Sequence, residues 1–144
     1  MVGGLEVAEV ARGLLTTETT MYQRLVRAKR KIKTARIPYR VPDADELPAR
    51  VHGVLHVIHL VYTEGHVASS SDDLVRGDLC REAIRLSRLV VALMPGDAEA
   101  LGLLAYLLLT DARRPARTDA HGRPVSLEDQ DRGRWDQAAI AEGT

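Results

Sequence analysis

A chain of 144 residues with 45% apolar residues, no Phe and one Trp has room for one core, which Leu, Val, Ala and Ile must fill; this favours packed helices and an all-α fold. The lone Cys80 excludes an internal disulfide, no run of about eighteen apolar residues appears and no signal-peptide pattern opens the chain, so a soluble cytoplasmic protein without a membrane span is expected. The net charge of zero hides a division, since residues 1–42 hold nine Lys/Arg against three Asp/Glu and residues 43–144 hold eleven against seventeen: a basic head suited to a polyanion and an acidic body.

Glu6 to Leu15 reads as a short helix, with Val7, Val10, Ala11 and Leu14 at i, i+3, i+4 and i+7. Thr16, Thr17 and Glu18 form the break. A second helix runs to about Ala35, with Met21, Leu25, Ala28 and Ile32 on one face and six basic residues among the fourteen from Thr20 to Lys33. Thr20 and Gln23 have capping-box spacing, and a start at Glu18 is equally compatible. Residues 37–47, with Pro38 and Pro42, read as a proline-rich linker and the domain boundary. Pro48 then suits the first turn of the next helix, with Asp45 and Glu46 at its positive end.

Leu47 to Val67 is a nearly all-apolar helix, expected to be buried on most sides. SSSDD at 69–73 reads as a turn, and Leu74 to Met94 as a long helix ended by Pro95 and Gly96. Asp97 caps a leucine-rich helix to about Thr110. Helix, tight PGD turn and helix together resemble a tetratricopeptide-like hairpin, although no clean 34-residue repeat exists. Asp119-Ala120-His121-Gly122 reads as the turn of a small β-hairpin, and a last helix is expected from Leu127 or Glu128 to Ala141.

The basic helix behind a short helix and turn has the pattern of a DNA-binding helix-turn-helix. A merely solvated charged face is the plain alternative; membrane binding would call for more than one Leu and for Trp or Phe on the apolar side. His52, His56 and His59 share i, i+4, i+7 spacing, with His66 beyond. Without HExxH or a Cys pair they read as a polar seam, and no metal site is expected. Glu64, Asp78, Glu82 and the acids of 128–131 read as solvated faces, with nothing to position a nucleophile or a substrate. Arg113, Arg114 and Arg117 are expected to pair with Asp119 and Asp129 and brace the hairpin. Trp135 reads as a core or interface anchor and Cys80 as a small buried hydrophobe. No enzymatic activity and no cofactor are expected.

VGGLEVAEVARGLLTTETTMYQRLVRAKRKIKTARIPYRVP resembles the second half of sigma region 4 of extracytoplasmic-function bacterial sigma factors. YTEGHVASSSDDLVRGDLCREAIRLSRLV, DARRPAR and LEDQDRGRWDQAAIAEG resemble the helical C-terminal extension of one sigma-factor group, so the resemblance covers essentially the whole chain. It implies a partial region 4 helix-turn-helix over 1–36 and a helical, tetratricopeptide-like extension over 48–144. It further implies a role in transcription initiation, with promoter −35 DNA, core RNA polymerase and a regulatory protein on the extension as partners. The chain departs from the family pattern at Glu6, where a threonine is usual, at Thr17, where a proline is usual, and at Tyr22, where the residue is usually small. Sigma region 2 and the early helices of region 4 are absent, so the chain resembles the C-terminal portion of such a factor. Residues 1–36 are accordingly expected to lack a complete core of their own and to dock on the extension or move freely.

By the resemblance, Thr19, Thr20, Gln23, Arg24 and Arg27 lie on the early, exposed part of the recognition helix, where Gln and Arg read base edges. Arg30, Lys31 and Lys33 hold phosphates. The alternatives are a helical-repeat interaction module without DNA binding and a metal protein built on the histidine face.

Overall fold

The computed structural model describes residues 5–37, 43, 45–67 and 75–144. Pro38 and Pro42 of the expected linker and the SSSDD turn lie outside the described residues. The fold is all-α: α1 (Val7–Gly13), α2 (Glu18–Thr34), α3 (Leu47–His66), α4 (Gly77–Leu93), α5 (Ala98–Asp111) and α6 (Gln137–Gly143), with short 3-10 turns at Arg114–Ala116 and Arg132–Arg134. In place of a hairpin, Thr118 and Pro124 form one antiparallel bridge, and no strand occurs among the described residues.

α3, α4 and α5 pack on one another, α6 lies on α5, and α1 lies on α3 and carries α2. One apolar cluster joins Leu5, Val10, Ala11 and Met21 of the head to Ile58, Val61 and Tyr62 of α3, Cys80 and Ala83 of α4, and Leu107 and Leu108 of α5. The head therefore shares the body's core, the docked one of the two expected arrangements. Gly65 lies at a close approach of α3 to the start of α4: a Cβ there would meet the Cys80 nitrogen and Leu79 Cβ at 2.9 Å each.

Other expectations also need correction. α3 is not buried on most sides: Val51, Leu55, Ile58, Val61 and Tyr62 are covered, while Val54 and Val57 face outward on the opposite side. Its apolar sequence exceeds the surface that α1, α4 and α5 cover. The last helix is shorter than expected, because Asp131 and Asp136 each take a backbone N–H two or three residues on and so break 127–136 into caps and turns. Finally, Asp119 pairs with Arg123 at 2.7 Å, and Asp129 accepts from the Ser126 hydroxyl at 2.6 Å. Arg114 instead lies 3.2 Å from Asp111, and Arg117 donates to the His66 carbonyl. The turn is thus braced from within. Arg114 closes on the end of α5, and Arg117 ties the segment after α5 to the end of α3.

Candidate nucleic-acid interface

The cationic surface is α2, and its placement begins with how α1 ends. Leu15 N–H reaches Arg12 O at 3.0 Å and Thr16 N–H reaches Ala11 O at 2.9 Å, a Schellman closure with Leu15 in the left-handed region at φ 50°. That conformation costs a residue with a Cβ about 1 kcal/mol, and here it turns the chain sharply between the helices. Thr17 then caps α2: its Oγ1 accepts the Thr20 N–H at 3.2 Å. The helix therefore starts at Glu18, and Thr20 lies inside it instead of opening a capping box with Gln23. α2 closes in the same way as α1, with Ile37 N–H on Ile32 O, Arg36 N–H on Lys33 O, and Arg36 at φ 47°.

α1 is fixed at its own start by Glu9. This carboxylate is buried, accepts the Glu6 N–H at 2.6 Å, and meets Arg76 Nη1 at 2.8 Å at the entrance to α4. α2 is held only near its beginning: Met21 is buried and Leu25 half-buried, but Ile32 is 52% exposed. A cleft of about 460 Å³ runs between Met21 and Leu25 of α2, Leu14 just after α1, and Val57 and Leu60 of α3. The expected apolar face of Met21, Leu25, Ala28 and Ile32 is thus covered for two turns and open for the rest.

Thr19, Gln23, Arg24, Arg27, Arg30, Lys31 and Lys33 are all exposed and Thr20 is half-buried. Arg24, Arg27, Arg30, Lys31 and Lys33 make no ion pair among the described residues. Helical spacing places Thr19, Gln23, Val26 and Arg30 in one row beside Thr20, Arg24, Arg27 and Lys31, and Lys33 in a further row that passes through Val26. Two side chains absent from the sequence-based assignment share this surface, Tyr22 and Val26, both about half-exposed or more. The signal for them was present: they are apolar residues on the face that should be wholly polar.

His52 and His56 meet edge to face with ring centroids 4.4 Å apart, and with His59 and Glu99 they line one shallow surface depression. His52 Nδ1 lies 3.2 Å from Glu99 Oε2 and His56 Nδ1 lies 3.0 Å from the His52 carbonyl, so each has its own partner on the surface. His59 leans on Tyr106, and no group of three His, Cys, Asp or Glu stands in metal-holding geometry among the described residues. His66 sits apart, stacked on Tyr62; burial, with Arg117 and Arg113 beside it, lowers its pKa to about 4. Cys80 is wholly buried, and burial with Asp111 nearby pushes its thiol up to about 11. Glu82 and Arg85 pair along one exposed face of α4, and Arg88 grips Glu142 of α6 through two bonds of 2.7 and 2.6 Å. Glu64 is buried in α3, not solvated as expected. No helix among the described residues is long and apolar enough to cross a membrane.

Fold and surface together define an all-α protein that presents an open cationic helix beside a packed helical body. Residues 50–144 match the family of unknown function DUF6596, and the chain belongs to that family. A protein of Rhizobium meliloti (strain 1021), described as uncharacterized, is 46% identical over 142 residues, which is 99% of this chain and 34% of that protein. The chain spans about a third of the length of that relative, and the similarity runs through the basic head as well as the body. No solved structure matches the chain.

Proposed function

We propose that this chain is the C-terminal part of an extracytoplasmic-function sigma factor and acts in bacterial transcription initiation in the cytoplasm. α1 and α2 form the helix-turn-helix that reads the promoter −35 element, and α3 to α6 form an extension contacting core RNA polymerase or a regulatory protein. The reading is one of binding, without catalysis. The observation that carries it is the face of α2: five long cations with no partner among the described residues, flanked by Gln23 and Thr19, on a helix whose opposite side touches the body. Arg30, Lys31 and Lys33, late in the helix, hold phosphates, while Thr19, Thr20, Gln23, Arg24 and Arg27 lie where base edges would pass.

The test is duplex binding as a function of salt. Affinity falls linearly with log salt, and each of Arg30→Ala, Lys31→Ala and Lys33→Ala lowers the slope by about 1. Random-library selection enriches a defined duplex sequence. Binding that ignores salt and these substitutions overturns the reading. A second reading, a helical-repeat interaction module whose basic arm has no DNA role, draws on the open apolar groove between α3 and α4 formed by Val54, Val57, Leu86, Leu89, Val90 and Leu93. A chain that shows no preference for any selected duplex over random DNA favours this second reading.

A further inference from the structure

The outward face of α2 is not uniformly polar. Tyr22 and Val26, one turn apart, are 62% and 48% exposed, and with Gln23 and Arg27 they line a shallow depression of about 280 Å³. Val26 lies in the row Thr19, Gln23, Val26, Arg30 and also in the row Tyr22, Val26, Lys29, Lys33, so cations adjoin it along both. A β-branched residue at the centre of an exposed cationic helix face contributes nothing to the core and loses some rotamer freedom in the helix. Its surroundings select the partner: Arg27, Arg30 and Lys33 call for a polyanion, and the chemistry of the depression calls for an apolar group beside hydrogen-bonding edges.

A duplex major groove offers both. Its one apolar group is the thymine 5-methyl, which stands next to the adenine N6/N7 edge that suits a glutamine and the guanine O6/N7 edge that suits an arginine. We infer that Tyr22 and Val26 form a thymine-methyl pocket on the reading face of α2, setting sequence preference together with Gln23 and Arg27. The inference rests on the DNA-binding reading above and adds two specificity residues and the base that they select. Val26 packs on the methyl, Tyr22 closes the pocket on the side of Lys29, and Gln23 and Arg27 take the neighbouring purine. The phosphate-holding cations fix the register.

The experiment uses the full chain and a duplex enriched by it from a random library. Each thymine of that duplex is replaced in turn by deoxyuridine, which removes the methyl and leaves base pairing intact. At one or two positions the wild-type chain binds about fourfold more weakly, the factor expected for losing one buried methyl. Val26→Ala and Tyr22→Ala weaken binding to the thymine duplex and abolish the difference between thymine and deoxyuridine, whereas Val26→Ile keeps it. Helical circular dichroism is unchanged in all three, since neither side chain has a place in the core. Salt-dependent, sequence-selected binding that is indifferent to every deoxyuridine substitution overturns the methyl pocket and leaves the DNA-binding reading standing. So does a penalty that persists unchanged in both alanine variants. Failure to select any sequence overturns both.

Discussion

α2 and α3 are both long helices with recurrent apolar residues, and the fold treats them in opposite ways. α3 has far more apolar surface than its partners cover, yet it is anchored along its whole length through Val51, Leu55, Ile58 and Tyr62. α2 has one modest apolar stripe, anchored at Met21 and Leu25 and then left open at Ile32. Burial therefore follows the supply of partners and not hydrophobicity alone. The open half of α2 also carries Arg30, Lys31 and Lys33, none of which makes an ion pair among the described residues.

The contrast in anchoring can be broken most directly by truncating one side chain in each region. Leu107 has no exposed surface, and Leu107→Ala costs about 3 kcal/mol by denaturant titration, through lost transfer energy and a residual cavity. Ile32→Ala changes stability by less than about 0.5 kcal/mol in the same titration. Equal losses would mean that α2 is covered along its length and the contrast is false.

A smaller effect tests how the head is fastened. Glu9→Ala removes both the Arg76 ion pair and the acceptor of the Glu6 N–H, and Arg76 retains access to water, so the cost is about 2 kcal/mol. Hydrogen exchange localises it: amides of α1 and α2 lose protection while those of α4 and α5 do not. Uniform loss across all helices would show one cooperative unit with no weaker head.

A pH-dependent effect belongs to the body alone. The unfolded chain takes up a proton at His66 near pH 6.5, but in the fold burial with Arg117 and Arg113 delays uptake to about pH 4. Acidification from 6.5 towards 4 thus favours the unfolded state, while above 6.5 His66 is neutral in both states and contributes no pH dependence. His66→Gln flattens the stability–pH curve across that window. An unchanged slope would place the acid sensitivity elsewhere, and not at Asp111, whose pKa burial raises so that the fold takes up that proton more readily than the unfolded chain.

Much of this was legible along the chain. Asp97 caps α5 through the Ala100 N–H at 2.8 Å, Pro48 stands in the first turn of α3, and the PGD turn ends α4, all local rules with local residues. The ends of α1 and α2 were legible to within two residues, but the way they close was hidden, because the left-handed positions hold Leu15 and Arg36 where glycine would have signalled them. The tie between Glu9 and Arg76 was hidden too, since 67 residues separate its partners. In the interface, the cations of α2 announced themselves by composition. Tyr22 and Val26 acquired meaning only once the face they share was shown to be open.

Sequence alone determined the helical class, the charge division between head and body, and the cationic face of α2, because periodicity and charge are properties of neighbouring residues. Tertiary structure decided which apolar stripe is covered, where the head is fastened and which half of α2 stands free. Those outcomes depend on how much partner surface α1, α3, α4 and α5 can offer, a quantity that no local window of the chain contains.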